Sequence, residues 1–254
     1  MPIRRIHVCP RHRFLTQPGE IAVAFVIPPN PAPAVAVGGS DDLFPVHRVY
    51  CVGRNYADHA REMGHDPDRE PPFFFQKSPD NLSPAGLMDG AGFPYPPQFQ
   101  NVHFEIELVV TLSGGGVDVF ERKALGLIWG YGVGLDMTRR DLQGEAKKAG
   151  RPWDSGKAFE HSAPIGPLYP LAATGPIEEG RIWLDVNGET RQDGNVNQLI
   201  WSLPEVIVHL SGLFELRPGD LIFTGTPAGV GAVQRGDVME GGVEGLGLIR
   251  FKVT

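Results

Sequence analysis

The sequence predicts an α+β fold that is mostly β, with short helices inserted among many strands. Glycine (33) and proline (24) both exceed average usage and fall as punctuation between short segments, without repeats or low-complexity tracts. Apolar residues alternate or run continuously over spans typical of strands, while helical periodicity is confined to a few brief stretches with start or stop signals.

From the N-terminus, residues 1–45 read as an irregular arm, because Pro28 to Ser40 is rich in Pro, Ala, Val and Gly and has no helical period. The core, residues 46–254, opens on a buried strand over 47–52 that feeds a short helix over 56–63. Asn55 is its expected N-cap and Gly64 its stop. Residues 102–111 alternate, placing Phe104, Ile106, Leu108 and Val110 on one face and His103, Glu105 and Glu107 on the other. Gly114-Gly115-Gly116 reads as a turn, since neither a Gly-Lys-Ser/Thr nor a dinucleotide fingerprint accompanies it. A strand over 129–135 ends at Asp136, where Asp136 or Thr138 can cap a helix reaching about Ala149, stopped by Gly150 and Pro152. Residues 181–186 form a strand entering an Asn187-Gly188 turn, the strongest hairpin signal in the chain. Ser202 and Glu205 have capping-box spacing before a helix ending near Phe214, and a strand over 221–224 then runs into Gly225-Thr226-Pro227-Ala228-Gly229. A strand over 246–253 closes the chain.

Charge and composition exclude several classes of function. With 23 Lys plus Arg against 30 Asp plus Glu, the formal charge of −7 opposes nonspecific attachment to phosphate backbones, so nucleic acid is not an expected partner. No run approaches the roughly 18 apolar residues of a membrane helix, and the N-terminus has no unbroken apolar core of a secretory signal. Arg4, Arg5, Arg11 and Arg13 precede the first acidic residue, Glu20, as in a transit peptide, but serine is absent there and Pro2, Pro10 and Pro18 interrupt any amphipathic helix. Cys9 and Cys51 lack metal-ligand spacing, and Cys51 within Val49-Tyr50-Cys51-Val52 reads as a buried, inert thiol. A reduced, cytoplasmic setting is expected, with no membrane partner.

Three groupings can carry chemistry. Glu105 and Glu107, two apart in a strand, project the same way, and two like charges there call for compensation. A hard divalent cation would supply it, with Asp136 as a third oxygen ligand; the alternative is a strand whose charged side faces solvent. His59 and Glu62, three apart on a helix, can act as base and orienter, or form an ordinary solvated pair. Asp136, Arg140 and Gln143 at i, i+4 and i+7 could present a ligand, a guanidinium and an amide to one cavity, with Lys157 nearby in sequence. Taken singly, Arg140 and Lys157 are equally at home on a surface. No Gly-x-Ser-x-Gly elbow or zinc-type histidine cluster competes.

Taken together, these segments resemble the fumarylacetoacetate hydrolase superfamily, and in particular its fumarylpyruvate hydrolase and acylpyruvase branch. The resemblance covers about residues 46–254. It rests on Gly53-Arg54-Asn55-Tyr56-Ala57-Asp58-His59-Ala60-Arg61-Glu62, His103-Phe104-Glu105-Ile106-Glu107, Gly134-Leu135-Asp136-Met137-Thr138-Arg139-Arg140-Asp141-Leu142-Gln143, the Lys157 segment and Thr224-Gly225-Thr226-Pro227-Ala228-Gly229-Val230. The stretch from Gly64 to Lys77 suggests the branch. Two features depart from the pattern: Ala158 follows Lys157 where many relatives have serine, and residues 1–20 match nothing in the family.

The resemblance implies a β-rich roll, usually dimeric, in which Glu105, Glu107 and Asp136 hold Mg2+ or Mn2+, with Ca2+ able to take the same place. His59 and Glu62 would activate water and Lys157 would assist at the reacting carbonyl. Arg140, Gln143 and Thr226 would hold substrate oxygens, and Arg54 or Lys77 a substrate carboxylate. The implied activity is metal-dependent hydrolysis of a carbon-carbon bond in a 2,4-dioxo acid, with fumarylpyruvate giving fumarate and pyruvate as in gentisate-type aromatic catabolism. The extra N-terminal domain of the longer fumarylacetoacetate hydrolases has no counterpart in this sequence, which points away from their substrate. Oxaloacetate decarboxylation and hydroxymuconate isomerisation are alternatives on the same site, and a noncatalytic metal-binding scaffold is the alternative of another class.

Overall fold

A computed structural model describes residues 25–64, 70–84 and 92–254. Two compact units divide between Ala32 and Pro33. In the first, residues 25–32 are exposed and form no regular element, and the expectations placed on residues 1–24, Cys9 among them, lie outside the described residues.

The second unit is α+β and mostly β, as the sequence predicts. Its largest sheet orders the strands Phe73–Lys77, Val49–Gly53, Leu221–Phe223, Ile106–Leu112, Ile128–Leu135, Ala163–Ile165 and Leu82–Pro84, with Tyr169–Pro170 also paired to Ile128–Leu135. A second sheet orders Glu189–Asn195, Arg181–Val186, Val238–Val243, Leu248–Val253 and Gly92–Phe93. A third, small sheet pairs Val102–Phe104 with Thr138–Arg139 and Gly231–Ala232.

Ile106–Leu112 is the central strand of the large sheet and is buried throughout. Ile106, Leu108 and Val110 enter the main core, and Val109 enters a second cluster with Val49, Cys51, Ile165 and Phe223. Both faces of the sheet are therefore covered, and the alternative of a charged side facing solvent is not realised at Glu105 and Glu107, which are both buried. Part of that cover comes from Ala34–Ala36 and Leu43–Pro45, which pair as an antiparallel hairpin and bury Val35 and Phe44 in the second cluster. At these residues the expected irregular arm is regular, because apolar side chains facing a sheet outweigh the absence of a helical period.

Other local differences have similar causes. The strand expected over 102–111 breaks at Glu105, where the backbone passes from the small sheet to the large one. Asn55 does not cap the helix Ala57–Glu62, whose N-cap position is Tyr56. Its carboxamide instead accepts from Trp201 N at 2.7 Å and donates to the carbonyls of Trp201 and Thr224. The helix expected from Asp136 begins only at Arg140, after Thr138 and Arg139 have joined a strand, and neither Asp136 nor Thr138 caps it. Gly150 ends it in the left-handed region at φ 62. The Asn187-Gly188 turn and the Ser202/Glu205 capping box are both present. Among the described residues no helix is long and apolar enough to cross a membrane.

Candidate active site

Register brings the carboxylates together. Ile106 pairs with Leu135 and Glu107 with Gly134, and Asp136 N donates to the Glu105 carbonyl at 2.8 Å, so Asp136 leaves its strand beside the start of the neighbouring one. Glu105, Glu107 and Asp136 are buried, and each offers an oxygen within 4.8 Å of the others. Gly225, in the loop after Leu221–Phe223, donates its N–H to Glu107 Oε2 at 2.8 Å.

Two lysines and an arginine face this triad. Lys157 Nζ donates to Asp136 Oδ2 at 2.6 Å and Glu105 Oε2 at 2.8 Å, and Arg140 donates to Glu105 Oε1 at 2.5 Å and to Gln143 Oε1 at 2.7 Å. Burial opposes the charge on Lys157, but the Asp136 and Glu105 carboxylates outweigh it and hold the ammonium above its ordinary value. Burial also works against the Glu105 carboxylate, yet Lys157 and Arg140 hold it well below its usual range. Glu107 is pushed the other way: burial raises it well above the ordinary value, and repulsion from Asp136 and Glu105 adds to the effect.

Lys77 does not face the pocket. Its wholly buried ammonium lies 2.9 Å from Asp136 Oδ1 and donates to the carbonyls of Met137 and Lys157. The ion pair with Asp136 is off the hydrogen-bonding direction, and Oδ1 has no directed partner. No cationic side chain among the described residues pairs with Glu107. An uncompensated buried carboxylate, an oxygen with a spare lone pair and an all-oxygen donor set fit a hard divalent cation.

Beside the triad lies a pocket that opens to solvent. His59 lines it, and His59 Nδ1 meets Glu62 Oε2 at 3.3 Å. Burial pushes the imidazole below its ordinary value, opposed by Glu105 and by the hydrogen bond to Glu62. Glu62 is itself anchored, accepting from Gly229 N at 3.2 and 3.1 Å. Thr226 reaches the wall as well, its hydroxyl oxygen accepting from Gln192 Nε2 at 2.8 Å.

The helix Arg140–Ala149 contributes Arg140, Gln143 and Lys147 to the pocket, at i, i+3 and i+7 on one face. Of the sequence-predicted residues, Lys77 alone is absent from the walls apart from Glu62, which sits behind His59. Sequence reasoning missed Lys147, although its spacing from Arg140 was the available signal once the helix frame is taken to start at Arg140. It also missed Gln192, wholly buried, which accepts from Ile106 N and donates to Thr226 Oγ1 and the Pro227 carbonyl. No local pattern marks that residue.

Residues 48–254 match the family description "Fumarylacetoacetate (FAA) hydrolase C-terminal". The chain is 47% identical over 193 residues to the fumarylpyruvate hydrolase of Ralstonia sp, covering 75% of this chain and 98% of that protein. It is 42% identical over 205 residues to the mitochondrial oxaloacetate tautomerase of Rattus norvegicus, covering 81% and 90%. Among solved structures, the fumarylpyruvate hydrolase of Pseudomonas aeruginosa in complex with Mn2+ and pyruvate is similar at a TM-score of 0.88 and 53% identity, over 91% of this chain and 99% of that one.

Proposed function

The chain belongs to the fumarylacetoacetate hydrolase family, and from that premise we propose that residues 46–254 form a catalytic domain that hydrolyses a carbon-carbon bond in an acylpyruvate, fumarylpyruvate before others. The observation that carries this reading is the buried triad of Glu105, Glu107 and Asp136 beside a pocket that also holds His59 and Lys157. The relative from Pseudomonas aeruginosa, in complex with Mn2+ and the keto acid pyruvate, supports it.

The triad would hold Mg2+ or Mn2+, which when bound supplies Lewis acidity toward the oxo-acid oxygens. Glu62 holds His59 through Nδ1, so that Nε2 remains as the acceptor for a proton from water. The water oxygen adds to the carbonyl carbon at position 4 of the 2,4-dioxo acid. Collapse of the adduct breaks the bond between carbons 3 and 4, leaving its electron pair on the pyruvate fragment as an enolate that is then protonated. Fumarate and pyruvate result. Lys157, charged and rigidly held, stabilises negative charge developing on the substrate oxygens. Arg140 has a buried Nε without a partner among the described residues, and with Gln143 and Thr226 it would orient those oxygens. A cytoplasmic, homodimeric enzyme completes the proposal, in keeping with the free buried thiol of Cys51.

Turnover of fumarylpyruvate with added Mg2+ or Mn2+, followed by loss of diketone absorbance and by product identity, tests the reading. Metal-dependent release of fumarate and pyruvate is expected; absence of both products in the loaded protein would overturn it. A second reading, interconversion of oxaloacetate tautomers, is favoured by the 42% identity to the rat enzyme. It moves a proton at carbon 3 and breaks no carbon-carbon bond. Assays on oxaloacetate distinguish it from decarboxylation, which releases carbon dioxide, and a hydroxymuconate substrate tests isomerisation.

A further inference from the structure

Beyond the groups around the triad, two more cations reach the pocket, Arg54 and Lys147. Both are half-buried, and unlike the equally half-buried Arg140 neither pairs with a carboxylate of the triad, which sets them toward the pocket's outer end. Neither has a carboxylate partner among the described residues. Each is steadied by an aromatic ring instead. Lys147 Nζ lies 5.0 Å from the Trp153 ring centroid and Arg54 Cζ lies 5.9 Å from that of Phe73, while the two rings are 4.8 Å apart.

Arg54 occupies the left-handed region at φ 60, a conformation uncommon for a residue with a side chain. Burial pushes the Lys147 ammonium down, and the guanidiniums of Arg140 and Arg54 push it further, against an opposing pull from Glu105. Like charges gathered in this way, without an ion-paired carboxylate among the described residues, suit an anionic ligand. The charge around the triad points to the same conclusion. Lys77, Lys157 and Arg140 pair with Asp136 and Glu105 while Glu107 pairs with no cation among the described residues, so three carboxylates face three cations and a divalent ion held by the triad would leave the site net positive toward an anionic substrate. Lys77, bound to Asp136 and two carbonyls inside the protein, is not free to meet a substrate carboxylate.

We propose that Arg54 and Lys147 form a distal cationic subsite, carried on the Phe73 and Trp153 rings, that takes the second carboxylate of a dicarboxylate acylpyruvate and sets the preference for such substrates. This rests on the acylpyruvate reading of the pocket, and it assigns Lys147 a specificity role.

The test compares kcat/KM of the Mn2+-loaded full chain for fumarylpyruvate and for acetylpyruvate, which shares the pyruvoyl unit and lacks the distal carboxylate. Lys147→Met lowers the ratio of the two values about 10- to 100-fold, the worth of one charged hydrogen bond, chiefly through KM for fumarylpyruvate. Arg54→Met lowers it in the same direction, and Lys147→Arg restores most of it. A ratio that stays at the wild-type value in both methionine variants overturns the subsite, including the case where both rates fall together. If the wild type turns over neither compound, the hydrolase reading fails on its own, and calorimetric affinities of the same two compounds then decide. Weaker binding of fumarylpyruvate alone in Lys147→Met upholds the subsite, and equal changes or none reject it.

Discussion

Lys157 Nζ stands 2.6 Å from Asp136 Oδ2, an ion pair with both partners buried. The same ammonium pairs with Glu105 at 2.8 Å, so its removal takes a cation from two buried carboxylates at once, leaving Glu105 to Arg140 and Asp136 to Lys77. Lys157→Met is expected to destabilise the metal-free protein by about 3–5 kcal/mol, the cost of breaking a buried pair from one side. A divalent ion replaces the lost charge, so added Mn2+ should raise Tm more in the variant than in the wild type. Thermal unfolding in EDTA and in Mn2+ measures both shifts. An equal rise in the two proteins would contradict the charge-balance account of the triad.

In the proposed mechanism the triad holds the metal and the His59–Glu62 pair handles the proton. His59→Ala should cut kcat by roughly 100-fold or more, the usual range for a lost general base, while Mn2+ affinity stays nearly intact. Glu107→Ala should abolish Mn2+ binding, since Glu107 is one of only three carboxylates in the cluster. Calorimetric titration with Mn2+ and steady-state kinetics on the same preparations separate the two effects. Equal loss of metal and turnover in both variants would defeat the division of roles.

How far the site is legible in sequence depends on whether its parts share a local element. Glu105 and Glu107 are two apart in an extended segment and His59 and Glu62 three apart on a helix, and in both cases spacing alone brings the side chains together. Asp136 is legible only as the residue ending a strand; its approach to Glu105 depends on the pairing of Ile106 with Leu135. Asp136 is a favourable cap by residue type, which in sequence sets the helix frame too early; its carboxylate is committed to Lys157 and the helix starts at Arg140. Lys77 looks like a substrate cation in sequence, and only burial against Asp136 removes it from the pocket wall. Gln192 and Asn55 join segments far apart in the chain, and no periodicity encodes contacts of that range.

The pH dependence of turnover should report His59. Its imidazole is held below the ordinary value of 6.5 by burial, so it is neutral and able to accept a proton through the neutral range. The acidic limb of kcat/KM is therefore expected below pH 6.5. Glu62 raises the imidazole's affinity for its proton through both hydrogen bond and charge, and Glu62→Gln must shift the limb to still lower pH. A shift toward higher pH, or none, would remove His59 from the role of base. A pH-rate series on the two proteins is sufficient.

Gly229 supplies the last prediction. Its φ is 97, and a Cβ there would stand 2.0 Å from the carbonyl oxygen of Arg191. That oxygen is backbone within the strand Glu189–Asn195, so the loop must move rather than the neighbour. Gly229→Ala is expected to destabilise the protein by about 1–3 kcal/mol through the forced conformation. The functional effect should be larger, because Gly229 N holds both oxygens of Glu62. If the glycine acts on catalysis through that carboxylate, Gly229→Ala and Glu62→Gln should lower kcat by similar factors, and the double variant should lose little more than either alone. Fully additive losses would place the effect of Gly229 elsewhere, with Thr226 the nearest candidate, since Gln192 ties it and Pro227 to the same loop. A double-mutant cycle in kcat, with Tm measured alongside, separates these outcomes, because the stability cost belongs to Gly229→Ala whichever residue transmits the kinetic one.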